Sequence, residues 1–230
     1  MRYLILTLCF MVVCASTLLA QSQDVAVRFM PQWKKKTLTI GNWNVCESGD
    51  SVQLDLLRCY VGTINLMYKG KIVWVDSLPY HLLDASSNEG LLIKLRIPAH
   101  LAYNAIRFSI GVDSITNTAG VQGGDLDPMK GMYWAWQSGY INVKMEGHCS
   151  ASSDVKKEFQ FHLGGFLPPD ASIQFLEIPI KASASLDVMM QMDSFFKVID
   201  WGRQSRVMSP GIDAVQLSKR FAETVHSISQ

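Results

Sequence analysis

The sequence has little excess charge and little proline, and each shortage excludes a class of protein. Its 21 basic and 20 acidic side chains leave a formal net charge of +1, and only 8 of its 230 residues are proline. With 48% hydrophobic residues, this composition excludes a disordered tail, a collagen-like fibre and a low-complexity array. A nucleic-acid-binding protein usually carries a basic patch or stripe, whereas the longest run of like charge here is Lys34-Lys35-Lys36. We therefore predict a compact, neutral globular protein without a nucleic-acid partner.

The sequence also lacks the short motifs of several enzyme classes. It has no G-x-S-x-G nucleophile elbow, no Walker loop, no G-x-G-x-x-G, no H-E-x-x-H and no C-x-x-C. A hydrolase remains an alternative, because catalytic triads assemble from distant residues, but nothing in the sequence favours it. We predict that the protein is not an enzyme.

The first twenty residues have the features of a secretory signal peptide. Arg2 supplies a positive charge and residues 3–19 form an apolar stretch. Cleavage is expected after the small residue Ala20. Ser16 and Thr17 interrupt the apolar run and no stop-transfer charge cluster follows, so we expect no membrane anchor. The predicted product is periplasmic or secreted.

Cysteine usage leaves the disulfide pattern open. Cys9 and Cys14 would leave with the signal peptide, and the mature chain would keep Cys46, Cys59 and Cys149. An odd number of cysteines in an oxidising compartment fits one disulfide with one free or metal-bound thiol. Three buried thiols fit equally well.

The sequence of the mature chain, residues 21–230, predicts one domain made of short strands. Apolar and polar residues alternate in segments that are bounded by turn-forming residues, which is typical of strands. After Ser209-Pro210-Gly211, apolar residues recur at helical spacing at Ala214, Leu217, Phe221 and Val225. We predict an all-β fold, an antiparallel β-sandwich of about ten strands with a C-terminal helix. The predicted strands are Val25–Met30, Val52–Leu56, Ile64–Tyr68, Ile72–Val75, Leu91–Ile97, Ile106–Val112, Tyr140–Met145, Glu158–Leu163, Ile173–Ile180 and Leu186–Met192.

A long glycine-rich loop is predicted over residues 113–131. Its hard oxygen ligands are Asp113, Asn117, Asp125 and Asp127, which are the ligand types that calcium prefers. Their spacing is not that of an EF-hand. The favoured alternative is that these side chains order the loop by bonding its own backbone in Asx turns.

Two tryptophans follow this loop. If the chain is extended there, Trp134 and Trp136 point to the same face, because side chains alternate with period two. Adjacent indoles usually serve packing, but a polar loop is also where functional groups are presented.

These residues carry a specific resemblance. The segment D-S-x-x-N-T-A-G-V-Q-x-G-x-L-D-P-x-x-G-M-Y-W-x-W-x-S-G-Y-I-x-x-K-x-E-G, over residues 113–147, resembles the MbnP-like family of exported copper-associated proteins. That family is related to the methanobactin-associated periplasmic protein and to MopE-type copper proteins. Looser likeness covers residues 57–71, 80–84, 161–165 and 207–211. The family's fold, an antiparallel β-sandwich, agrees with the strand pattern.

The resemblance implies unusual chemistry. In the family, a dihaem protein similar to cytochrome c peroxidase can oxidise a tryptophan to kynurenine, and the kynurenine with histidines can then hold copper. The candidates for oxidation are Trp134 and Trp136, which occupy the W-x-W positions. Ring opening converts an indole, which does not bind metals, into an aniline amine, and imidazole suits copper. The protein would then be the substrate of its haem partner.

Two histidines are candidate copper ligands. His81 lies in a segment that resembles the family, and His162 alternates with Phe159 and Phe161, so it should face away from a core that these rings fill. Ser209 stands where some relatives have histidine. Met189-Met190-Gln191-Met192 offers soft thioethers, although core packing is the favoured interpretation of these methionines. The alternative function is a calcium-dependent, lectin-like binding module in which the two indoles stack on sugar.

Overall fold

A computed structural model describes residues 21–136 and 139–227, so the predicted signal peptide lies outside the described residues. The helices are α1 (Ser114–Thr118), α2 (Met192–Lys197) and α3 (Ile212–Glu223), with short 3₁₀ turns at Glu89–Leu91, Gly124–Leu126 and Pro128–Lys130. None of the helices in these two stretches is long and apolar enough to cross a membrane. The strands are β1 (Ser22–Trp33), β2 (Lys36–Thr37), β3 (Trp43–Val45), β4 (Ser51–Tyr68), β5 (Lys71–Val75), β6 (Tyr80–Asp84), β7 (Leu92–Pro98), β8 (Ala105–Ile110), β9 (Tyr133–Trp134), β10 (Gly139–Cys149), β11 (Glu158–Gly164), β12 (Gln174–Pro179), β13 (Ser185–Gln191), β14 (Arg206–Val207) and β15 (Val225–Ser227).

The strands form two sheets that share one main core, as a sandwich requires. The smaller sheet has the order β15-β13-β1-β2, with β7 also paired to β1. The larger sheet has the order β12-β8-β4-β10-β11-β14, with β3, β5 and β6 paired to β4 and β9 paired to β10. Phe29 of β1 and Phe108 of β8 meet edge to face at 5.7 Å between ring centroids, which joins the two sheets.

The strand directions correct the predicted antiparallel sandwich in two places. β1 runs parallel to β13, from Ala26 opposite Ser185 to Gln32 opposite Gln191, and β11 runs parallel to β14. Side chains alternate with period two in both kinds of sheet, so the hydrophobic pattern could not distinguish them. The sheets are therefore mixed.

Strand β4 is longer than predicted. Its 18 residues join the two predicted strands Val52–Leu56 and Ile64–Tyr68 into one. The register shifts between Gly62 and Asn65, where Thr63 has a positive φ of 50°, so the strand continues through an irregularity.

The C-terminal helix lies where the sequence places it. In α3, Ala214, Leu217 and Phe221 are buried in the main core. Met190 and Met192 are also buried there, which agrees with core packing of these methionines. No soft-metal role is needed to explain their positions.

A second, smaller core lies on the other face of the large sheet. In β4, Cys59 and Val61 point into the main core, and Tyr60 between them joins a separate cluster. That cluster has aromatic and aliphatic members from β4, β6, β9, β10 and the 112–132 segment: Tyr60, Tyr80, Val112, Leu126, Met132, Trp134, Tyr140 and Ile141. The segment that the sequence marks as functional thus covers this outer face of the large sheet.

Candidate functional site

The two tryptophans of the W-x-W motif lie in a hairpin and touch each other. Trp134 in β9 pairs with Gly139 of β10, and its side chain is buried, with 6% of the residue exposed. Trp136 follows in the turn and is 66% exposed. Their ring centroids are 5.9 Å apart with an interplanar angle of 50°. The arrangement connects a buried indole to solvent through an exposed one.

The ring of Trp134 lies directly on β11. A Cβ atom built on Gly164 would approach Cζ3 of Trp134 to 2.6 Å, so only glycine leaves room for the indole. A cavity of about 190 Å³ adjoins the ring. Its lining residues are Trp134, Gly139, Gly165, Phe166, Leu167, Pro168, Asp170 and Pro210.

A chain of tyrosines continues from the hairpin into the second core. Tyr133 meets Tyr140 at 5.0 Å between ring centroids, and Tyr140 meets Tyr60 at 5.8 Å. Burial raises the pKa of Tyr60 well above its ordinary value. Its hydroxyl is buried and has no hydrogen-bond partner among the described residues. Tyr60 therefore stays protonated, and the three aromatic rings pack under the loop.

Asp113 and Asn117 hold the first part of the loop to the sheet. Asp113 caps α1: its Oδ1 accepts a hydrogen bond from the Thr116 backbone at 2.7 Å, and its Oδ2 accepts one from the Tyr80 hydroxyl at 2.7 Å. Asn117 is buried; its amide donates to the Val112 carbonyl at 3.0 Å. Its Oδ1 accepts the Tyr140 backbone N–H at 2.8 Å. Both side chains bind protein groups.

Asp125 and Asp127 hold the second part. Asp125 accepts the Leu82 backbone N–H at 2.9 Å and pairs with the Lys130 ammonium. Asp127 begins the 3₁₀ turn that follows it and accepts the Met129 N–H at 2.8 Å. Within the described residues no group of three or more His, Cys, Asp or Glu side chains could hold a metal ion. The contacts of all four loop residues match the loop-ordering role, and calcium binding stays a prediction.

The two candidate histidines lie on opposite faces of the large sheet. In β6, Tyr80 and Leu82 contact the second core and Leu83 lies in the main core, so His81 shares the face of Leu83. Its Nε2 bonds Oδ2 of Asp76 at 2.6 Å. In β11, His162 lies two residues before Gly164 and therefore shares the face on which the Trp134 ring lies. The structure places His162 on the face of the large sheet that carries the Trp134 ring and His81 on the opposite face.

His162 is held by a carboxylate. Its Nε2 lies 2.7 Å from Oε1 of Glu146, which also pairs with Lys144. Burial lowers the pKa of His162 by more than Glu146 raises it. Burial opposes ionisation of Glu146, but the hydrogen bond from His162 and the charge of Lys144 outweigh it, so the pKa of Glu146 is lowered. A neutral imidazole therefore donates Nε2–H to an ionised carboxylate, which leaves the Nδ1 lone pair for other partners.

The sequence model of the MbnP family matches residues 22–209 of this chain. The chain belongs to the MbnP family. The resemblance seen in residues 113–147 is thereby confirmed. Among solved structures, MbnP from Methylosinus trichosporium is similar, with a TM-score of 0.60 at 19% sequence identity, over 85% of this chain and 88% of that one. At that identity the likeness concerns the fold. No curated protein matches the chain.

Sequence reasoning missed two residues on this face of the large sheet in this MbnP-family chain. Glu146 fixes the ring of His162, and Gly164 gives Trp134 its place. The face on which Glu146 lies could have been predicted, because period-two alternation puts it on the same face as Lys144, two residues away in β10. Gly164 could not, because the close approach depends on β9 folding back over β11.

Proposed function

We propose that this MbnP-family protein is exported and binds copper after its hairpin tryptophan, Trp134, is oxidised to kynurenine. The oxidant would be a haem partner similar to a dihaem cytochrome c peroxidase, and this chain would be its substrate rather than an enzyme. Family membership supports the proposal. The observation that carries it is the contact between the exposed Trp136 and the buried Trp134.

This contact suggests how a docked partner reaches a buried ring. Trp136 presents its indole to solvent at the hairpin tip, where a protein surface can meet it. An electron removed from Trp136 can be replaced from Trp134, because the ring centroids are only 5.9 Å apart. The ring that is left oxidised is then that of Trp134, which cannot touch the partner directly. Trp136 thus serves as the relay and Trp134 as the site of ring opening.

The oxidation balances with hydrogen peroxide as the co-reactant. Cleavage of the C2–C3 bond of the indole releases C2 as formate and leaves a ketone beside an aniline amine. Two peroxide molecules supply the oxygen atoms and accept the electrons, and one water is the remaining product. The protein's part is to hold the ring against Gly164 and beside the cavity that Leu167 and Asp170 help to line.

His162 is the copper donor that fits this site. Its lowered pKa keeps the imidazole neutral, which is the form that binds metals, and Glu146 fixes the ring through Nε2 and leaves Nδ1 free. The described residues supply no cluster of three His, Cys, Asp or Glu side chains. Copper affinity at this site would therefore depend on the new amine at position 134. Bound copper would be cargo that this protein holds for transfer or storage.

Co-expression with the haem partner, followed by peptide mass spectrometry, tests the proposal. We expect the peptide with Trp134 to lose one carbon and gain one oxygen, only when partner and peroxide are both present. Trp136→Phe should lower the yield at least tenfold, because the relay is removed. Trp43→Phe is the matched control, since Trp43 is another exposed indole, 55% exposed on β3, and should leave the yield unchanged.

Copper binding is measured on the same samples. A ligand that binds only the folded state raises the melting midpoint, so copper should stabilise the modified protein and leave the unmodified protein unchanged. Two intact tryptophans after treatment with an active partner would overturn the mechanism. A normal yield in Trp136→Phe would overturn the relay alone.

The calcium-dependent sugar-binding alternative is not favoured, because Asp113, Asn117, Asp125 and Asp127 already bind protein groups.

A further inference from the structure

Three side chains that bind soft metals lie next to one another on the small sheet. Met30 of β1 is opposite Met189 of β13, and Met189 is in turn opposite His226 of β15. Neighbouring strands are about 4.8 Å apart, so these residues form one row across three adjacent strands, with Met189 in the middle. We call them the Met–Met–His row. Its members are far apart in sequence, and the pairing of the three strands brings them together.

The row lies on the outer face of the small sheet. Phe29, Val188 and Val225, each next in sequence to a member of the row, are buried in the main core. Side chains alternate with period two along a strand, so the Met–Met–His row points away from that core. Its three members are partly buried rather than fully exposed. Core packing therefore accounts for Met190 but not for Met189.

A backbone carbonyl fixes the ring of His226. Nδ1 of His226 lies 3.1 Å from the carbonyl oxygen of Thr224, and because a carbonyl only accepts, Nδ1 carries the proton. The same carbonyl accepts the N–H of Gln191 in β13 at 3.1 Å, so the imidazole is held on the side of β15 that faces β13. In the neutral ring, Nε2 therefore keeps its lone pair. Histidines that bind metals usually have their second nitrogen fixed in this way.

The residue pairs on either side of the row carry no net charge. On one side Arg28 is opposite Asp187, and its Nε donates to Oδ1 of Asp187 at 2.9 Å. On the other side Gln32 is opposite Gln191. Calcium and magnesium require several oxygen ligands, whereas thioethers select Cu(I) and imidazole also suits copper. The uncharged donors of the row therefore favour a soft monovalent ion.

We propose that the Met–Met–His row is a separate metal site that binds one Cu(I) ion. The donors are Sδ of Met30, Sδ of Met189 and Nε2 of His226. Methionine is unbranched and flexible, so both sulfur atoms can turn toward the middle of the row. Binding exchanges ligands only, and the oxidation state of the ion does not change. The site needs no oxidised tryptophan, because it lies on the small sheet and is complete in the chain as synthesised.

The row and the proposed site at Trp134 can be measured separately. Thioethers bind Cu(I), so Cu(II) without a reductant is used for the melting test of the Trp134 proposal and should leave the row empty. Conversely, protein made without the haem partner has intact tryptophans and no aniline amine. Cu(I) bound by that protein reports on the row alone, and failure of either proposal leaves the other standing.

Competition for Cu(I) against the coloured chelator bicinchoninate, without oxygen, tests the site. The mature cysteines are free thiols in the structure, and Cys46 is the one that is only partly buried; it is alkylated first, because thiolates also bind Cu(I). We expect one Cu(I) per chain. Met189→Leu, which nearly conserves volume, should weaken binding at least tenfold. Met129→Leu is the matched control, since Met129 is 91% exposed, and should leave the affinity unchanged.

NMR of protein labelled with ¹³C at the methionine methyl groups identifies the donors without relying on a variant that folds. Ag(I) serves as the probe, because it is a soft monovalent ion that stays in one oxidation state. At one equivalent, the methyl signals of Met30 and Met189 should shift and that of Met129 should not. Unmoved signals for Met30 and Met189 would overturn the proposal. So would an affinity of Met189→Leu for Cu(I) equal to that of the native sequence.

Discussion

The absence of a side chain at residue 164 determines where the buried indole lies. Gly164 is on the outer face of β11, and a Cβ atom there would also come within 2.7 Å of the Tyr140 carbonyl oxygen. Backbone on one side and the Trp134 ring on the other leave no direction in which a methyl group could be accommodated. The β9–β10 hairpin and strand β11 therefore pack closely against each other at this position.

Gly164→Ala is expected to displace Trp134 and to destabilise the protein by about 1–3 kcal/mol, as overpacking does. Urea unfolding measures the stability, and quenching of tryptophan fluorescence reports exposure of the displaced ring. Gly123→Ala is the control, since a Cβ there meets nothing within 4 Å and should change the stability by less than about 0.5 kcal/mol. Equal stabilities of the two variants would contradict this account of the packing.

The sequence predicted which residues belong to the candidate site, but only some of the faces that they occupy. Alternation with Phe159 and Phe161 put His162 on the outer face, and both phenylalanines are indeed fully buried in the main core. That His162 and His81 lie on opposite faces depends on which face of β6 is covered, and this is decided by tertiary contacts of Tyr80 and Leu82. A single sequence does not contain that information.

Among the elements, the 113–131 segment departs most from its predicted form. The expected loop contains helix α1 and two 3₁₀ turns; Asp113 caps α1 and Asp127 caps the second 3₁₀ turn. Asp113 and Asp127 bind backbone N–H groups close to them in sequence, whereas Asp125 accepts the Leu82 N–H of β6 and Asn117 accepts the Tyr140 N–H of β10. The capping pattern was readable, because Asp before a short polar run favours a helix N-terminus, whereas docking onto Leu82 of β6 was not.

Asn117 is the residue through which this segment is fastened to β10. Asn117→Ala would leave the Tyr140 N–H and the Val112 carbonyl without their partners in a buried site. An unsatisfied buried polar group costs about 1–3 kcal/mol, so we expect a loss of at least that size in urea unfolding. Asn42→Ala, at an exposed position, is the matched control and should stay within about 0.5 kcal/mol. A neutral Asn117→Ala would show that the segment is held by its apolar contacts alone.

For the whole molecule, charge is nearly balanced, so the dependence of stability on pH is set by individual buried groups rather than by net repulsion. His162 is such a group. Burial lowers its pKa from the ordinary value of 6.5, so between these two pKa values the unfolded chain binds more protons than the folded one. Its contribution is fully present above pH 6.5 and is lost as the pH falls through the folded pKa.

Urea unfolding at several pH values down to about pH 5 should therefore show stability falling below pH 6.5. His162→Gln can still donate to Glu146 but does not titrate, so it should flatten this slope. His100→Gln, in a loop outside the strands, should keep it. The lower limit avoids the titration of Glu146, whose lowered pKa adds a further loss only below its ordinary value of 4.5. An unchanged slope in His162→Gln would exclude a buried, neutral imidazole.

The parallel pairing of β1 with β13 also sets an order in time. Residues 22–28 find one neighbour early, because β7 pairs with them as soon as residue 98 has been made. The other edge of β1 waits for residues 185–191, near the end of the chain. Contacts between such distant segments form late, because a long loop must be closed before they are made. During synthesis, β1 therefore carries an unpaired edge until almost the last part of the sandwich has been made.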